Sequence, residues 1–196
     1  MRICTLLLLC CCGHLFAQDT VTRQFFDDSA TDYLQHVDKY SMLYYGVMQK
    51  TYLRALNHPY LQFEDYTKTR LSYLHVIYPE VMLRLDLNRD ELIVKSPENH
   101  NIVLFPENVD FAEMYDYQII YFRSDTLPGC PPPGYYILLH SGKYKVMEKQ
   151  KAVLWEQATT NGIERSFVHI TRYYVLMDGI YYNVKNKNGL LKVLSP

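Results

Sequence analysis

Glycine is scarce in this chain, 8 residues in 196, and it never gathers into a phosphate-cradling loop, a dinucleotide fingerprint or a Gly-x-Ser-x-Gly elbow. Nucleotide cofactors and that form of serine catalysis therefore have no support from motif. The histidines at 36, 58, 75, 100, 140 and 169 never fall into a zinc spacing such as His-Glu-x-x-His, so neither metal nor cofactor is expected. An excess of charge of one sign is also missing, with 20 Lys and Arg against 21 Asp and Glu. Without a basic face, the main argument for nucleic acid as a partner falls away. Beyond the first residues no apolar run approaches the roughly twenty that a membrane-spanning helix needs, so no transmembrane span is expected.

What the N-terminus does contain is ordered. Met1 and Arg2 precede an apolar run from Ile3 through Cys12, followed by Gly13-His14-Leu15-Phe16-Ala17-Gln18. A positive start, a short apolar core and a small residue at the cut read as a signal peptide. Cleavage is expected after Ala17, which implies an exported protein, periplasmic or extracellular. The competing reading is a lipoprotein anchored through Cys10, Cys11 or Cys12, but leucines or other cysteines precede these where small residues are wanted. The leader carries off four of the five cysteines. Cys130 is then left alone, no intrachain disulfide can form, and burial against the neighbouring prolines is the expected fate of its thiol. The expected division is a signal peptide over 1–17, a polar leader over 18–33 and a single β-rich domain over 34–196, long enough to bury a core without staples.

Tyrosine is abundant, with 19 residues. It is a strand former with an apolar body and a wet tip, which suits a sheet with one face in solvent. The stretch 33–56 mixes helical spacing with dense apolar residues and allows one short helix, ended by the turn signal Asn57-His58-Pro59. Leu71 through Tyr78 reads as one strand closed by Pro79. The clearest alternation in the chain puts Val81, Leu83, Leu85 and Leu87 on one face of the next strand. Asn88-Arg89-Asp90 turns the chain into Glu91–Lys95. Further strands are expected at 102–105 and 118–122. The prolines at 131–133 cannot donate to a ladder and keep any central strand out of the loop at 127–134. Two hairpins follow, one turning at Ser141-Gly142 and one joining 167–177 to 181–185 through Asp178-Gly179. Leu190, Leu191 and Leu194 have the spacing of a helix face. These readings predict a mainly β fold, an antiparallel meander forming a curled sheet, open barrel or sandwich, with at most one or two short helices.

Several of these stretches carry a family resemblance: Asn57 to Leu61, Tyr78 to Leu92, Gly134 to Lys143, and Tyr173-Tyr174 through Leu191. Over them the chain resembles a family of secreted proteins of gut and oral Bacteroidetes that has no assigned activity. The resemblance implies export and one β-rich domain, and it supplies no catalytic residues.

Two sets of residues remain as binding candidates. Asp86, Asn88 and Asp90 match the first three ligand positions of a calcium loop, but its sixth and twelfth positions fall on Glu91 and Pro97 where glycine and glutamate are required. The alternative is a β-turn whose short side chains bond their own backbone. Asp86, Asp90 and Glu91 also raise the question of paired glycosidase carboxylates, yet acids in one turn rarely face each other across a cleft. Arg84, Arg89 and Lys95 are close enough in sequence to neutralise them as surface pairs. The second set is a series of tyrosine pairs, Tyr135-Tyr136, Tyr173-Tyr174 and Tyr181-Tyr182, with a fourth at Tyr44-Tyr45. On a strand, each pair is expected to give one ring to the core and one to the outside. The functional expectation is a non-catalytic envelope module that binds another protein or a glycan through strand edges and exposed tyrosines. A hydrolase acting on envelope or dietary polymers is the alternative.

Overall fold

A computed structural model describes residues 42–160 and 162–194, so the signal peptide, the polar leader and the first part of the expected helix fall outside the described residues. The described chain is mainly β, as expected. Its strands are β1 (Val47–Met48), β2 (Thr67–Tyr73), β3 (Val76–Asp86), β4 (Glu91–Lys95), β5 (Asn101–Val103), β6 (Val109–Met114), β7 (Tyr117–Phe122), β8 (Gly134–Ser141), β9 (Lys145–Thr159), β10 (Gly162–Met177) and β11 (Ile180–Val184), followed by one helix, α1 (Lys187–Leu194). They form one antiparallel sheet in the order β1-β5-β4-β3-β2-β6-β7-β8-β9-β10-β11, which is not closed into a barrel. Over 42–56 the chain makes a 3-10 turn at Met42–Tyr44, the short β1 and irregular backbone rather than a helix.

The expected strand over 71–78 is two strands. Leu74 and His75 both take positive φ, 52° and 63°, and turn β2 tightly into β3. Pro79 does not end the strand; it lies inside β3, in a bulge where Pro79 and Glu80 together face Arg70 as the pairing jumps from Thr69↔Val81 to Leu71↔Tyr78. A bulge takes a residue out of the ladder, which accommodates the missing proline N–H. A second bulge hid β6 from the periodicity. Ser72 pairs with Phe111 and Tyr73 with Val109, so Asp110 is skipped, and its carboxylate instead accepts from Ser72 Oγ at 2.8 Å and from the His75 backbone N–H at 2.9 Å.

One side of the sheet buries the main core. Val81, Leu83, Leu85 and Leu87 all lie in it with Leu71, Leu92, Ala112 and Ile119, as the alternation of β3 requires. The other side is also covered where β8 to β11 meet. Tyr136, Met147, Tyr174 and Tyr181 form one cluster there, with Cys130 packed against it. On the opposite face of the same strands Val146, Tyr173, Val175 and Val184 form another, on which Leu190 and Val193 of α1 pack. The face that packs is thus Leu190 and Val193 rather than the one read from the leucine spacing, since Leu191 is exposed.

Candidate functional site

β9 and β10 are the longest strands, and they pair along their whole length from Lys145↔Leu176 to Thr159↔Gly162. Their inner part belongs to the sheet: β8 pairs with β9 only over 145–148, and β11 with β10 only over 173–177. Beyond those limits the two strands continue as a two-stranded arm.

The arm is braced at its base by the turn between β3 and β4. The Ala152 N–H donates to Leu87 O at 3.0 Å, and Asn88 Nδ2 donates to Ala152 O at 2.8 Å. Asp86 is fully buried and holds the turn itself, its Oδ1 accepting from the N–H groups of Asn88 (2.9 Å) and Arg89 (3.1 Å). The Tyr52 hydroxyl donates to the same carboxylate at 2.8 Å; burial first, then that bond, raises the phenol far above its ordinary pKa. Glu91 is also raised, by burial first and then by the Asp86 charge.

Asp90 turns the other way. It takes φ 59° and sends its carboxylate to Lys149 Nζ, 2.7 Å from both oxygens, and to the Tyr135 N–H at 3.3 Å. Lys149 Nζ also donates to Tyr135 O at 3.0 Å. Burial lowers the Lys149 pKa, and the Asp90 charge offsets part of that. Gly134 makes the pair possible: its φ is +146°, and a Cβ there would sit on Asp90 Oδ2 and Lys149 Nζ.

The first candidate set thus comes together as a brace. Asp86 bonds the backbone of its own turn, and the Tyr52 hydroxyl lies within reach of both its carboxylate and Asn88 Oδ1 (3.2 Å), but the Asp90 carboxylate turns away to Lys149 and Tyr135, so the three residues do not converge on a common point. Asp86 and Asp90 point to different partners rather than across a cleft. Among the described residues no group of three or more His, Cys, Asp or Glu is arranged to hold a metal. The expected neutralisation by neighbouring cations takes another form. Arg84 lies between the Tyr60 and Tyr66 rings at 3.8 and 4.3 Å, Arg89 lies 4.1 Å over Tyr52, and Lys95 reaches Tyr66. The cation that meets an acid of this turn is Lys149, 59 residues away from Asp90 in sequence.

The tyrosine pairs are mostly interior. Tyr135, Tyr136, Tyr173, Tyr174 and Tyr181 are all buried, and only Tyr182 reaches the surface. The expectation of one outward ring per pair holds for Tyr181-Tyr182, and for Tyr44-Tyr45 with Tyr45 exposed. It fails for the other two because the sheet there is covered on both faces. Their hydroxyls are put to use inside: Tyr136 donates to Pro132 O at 2.6 Å and Tyr181 to Asp125 at 2.7 Å, which pins the proline loop to the sheet. Cys130 sits half-buried in that loop, its thiol donating to Pro131 O.

The surface that sequence periodicity missed is the arm. Leu154, Trp155, Ile163 and Val168 are 39, 61, 59 and 50% exposed. One of its edges is dressed by the chain at 56–58, where Leu56 N–H donates to Arg165 O and the Asn57 side chain both donates to Phe167 O (2.8 Å) and accepts from Phe167 N–H (2.6 Å). Tyr52 adds an edge-on ring contact to Phe167 at 5.2 Å. The other edge is bare. Main-chain groups of alternate residues point the same way along a strand, so beyond Ala152 those of Leu154, Glu156 and Ala158 face outward, and they have no strand partner among the described residues. Comparison of the chain with protein families, with curated proteins and with solved structures gives no match, and the geometry of the arm and its brace is what bears on function.

Proposed function

We propose that this chain is a non-catalytic binding module of the bacterial cell envelope, and that it docks a second envelope protein by strand addition to the β9 edge of the arm. The observation that carries the reading is the arm itself. An unpaired strand edge is a template for another strand, and proteins that do not use one ordinarily shorten it, bend it or load it with lysine. Here the edge runs over 154–159 with Trp155 and Leu154 beside it, and no lysine follows Lys151 on that strand. Main-chain bonding supplies affinity in such an interface, and flanking apolar side chains supply selectivity. A protein fits this surface better than a glycan, since five of the six candidate ring-bearing positions are buried and among the described residues these positions offer no row of exposed rings for stacking. Placement in the envelope rests on the signal-like N-terminus and on the family resemblance.

The test is photo-crosslinking in the native cell with a benzophenone side chain at position 155 or 168. A discrete adduct with one exported protein, identified from its peptides and lost in the Leu154→Pro variant, is the expected result. Proline at 154 removes an outward N–H from the edge. No adduct, or an adduct of twice the chain's own mass, overturns the reading.

A further inference from the structure

A cavity of about 450 Å³ opens at the base of the arm, between the proline loop and the bracing turn. Pro132 and Pro133 form one wall, Leu87 and Asn88 another, and the floor is the face of β9 and β10 that carries Lys149, Lys151, Val153, Ile170, Arg172 and Tyr174. Its size falls in the range of small-molecule sites, which commonly combine apolar walls with a few polar groups.

The charge is unbalanced. Lys149, Lys151 and Arg172 face one anion, Asp90, and that anion is bound to Lys149. Neither Lys151 nor Arg172 has an ion-pair partner among the described residues. The register sets Lys149 directly opposite Arg172, and like charges in that position repel. Lys151 adds to the repulsion felt at Lys149. Two uncompensated cations are thus held at the mouth of a cavity with Val153, Ile170 and two prolines around it. This is the complement of an anionic head on an apolar body.

We propose that this cavity binds an organic anion, a carboxylate or phosphate monoester carried on an aliphatic chain, with the head between Lys151 and Arg172 and the chain along Val153, Ile170 and Pro132-Pro133. The site is separate from the strand-docking edge: it uses the inner part of the arm and the face of the strands, while partner docking uses the backbone edge further out.

Isothermal titration of the signal-free protein with decanoate and with decyl phosphate tests it, beside inorganic phosphate and decyltrimethylammonium. Saturable binding of both decyl anions is expected, weakened at least tenfold in Lys151→Gln and in Arg172→Gln and unchanged in Lys68→Gln, which alters a distant exposed lysine. A further loss on Val153→Asp is expected if the chain lies where proposed. Absence of saturable binding overturns the proposal, as does equal binding of the decyl cation, equal binding of inorganic phosphate, or indifference to Arg172→Gln. Both glutamine variants should leave the crosslink at position 155 intact, so failure here and failure of the strand-docking reading are told apart.

Discussion

Strand β3 and the outer part of β10 draw on the same kinds of residue and end in opposite environments. Val81, Leu83 and Leu85 are at most 7% exposed, whereas Val168 and Ile163 are exposed by half or more. The difference lies in what surrounds each strand. β3 has a strand on both sides and a covered face, so each apolar side chain on that face meets others. Outer β10 has β9 on one side, the chain at 56–58 on the other, and solvent on one face. Apolar side chains on a two-stranded ribbon gain little from each other, and such a ribbon is marginal by itself. The arm is held by polar contacts at its root and edge, and the body by apolar burial.

That contrast can be broken in order of size. The largest effect expected is alkaline. Tyr52, Tyr135, Tyr136 and Tyr181 all have raised phenol pKa values, by burial first in each case. A group whose folded pKa lies above its unfolded value leaves stability whole below that unfolded value, here 10.0, and removes it as pH climbs further. Phenolate absorbance should lag behind that of free tyrosine above pH 10 and then rise in one step with the loss of circular dichroism. Trp155 fluorescence should report solvent exposure before and after that step.

Next is Leu83→Ala, in the fully covered face, which should cost about 2–5 kcal/mol in denaturant unfolding. Asp90→Ala follows at roughly 2–3 kcal/mol, below the range for fully buried pairs because this one keeps some solvent contact. Adding Lys149→Met to it should recover part of the loss, since the penalty is chiefly that of a stranded ammonium. Asn57→Ala removes two bonds to Phe167 and should cost about 1–2 kcal/mol. Its signature is local: hydrogen exchange should quicken at the arm and not in β3 or β4. Val168→Ala closes the series at under about 0.5 kcal/mol, as for a surface position. A loss on Val168→Ala comparable to Leu83→Ala would mean that the arm is covered in solution.

How much of this was legible depended on whether a strand kept an unbroken two-residue rhythm. In β3 it did, and all four aliphatic residues named from it are buried. In β6 the bulge at Asp110 displaced the pattern by one residue, and the strand went unread. At 71–78 the tight turn used Leu74 and His75, not glycine, so nothing in composition marked it. The arm's outer part was illegible for a different reason: beyond Phe167, whose ring still lies in the main core, Ile163, Arg165, Glu156 and their neighbours have no buried face that demands alternation. The candidate turn at 86–91 was found, but its partner Lys149 was not, because a buried ion pair leaves no local trace in sequence.

By itself, the sequence determined the secondary structure wherever one strand face is buried, because apolar burial imposes a period of two on the residues that satisfy it. It also determined the turns at Asn88–Asp90 and Asp178-Gly179, whose side chains suit the backbone they adopt. Only the tertiary structure decided that both rings of Tyr135-Tyr136 and of Tyr173-Tyr174 are covered, that the acidic turn clamps β9 through Lys149, and that one edge of a long arm stays open. Each of those depends on segments 30 to 110 residues apart meeting in space, and contact at that range is set by the packing of the whole sheet.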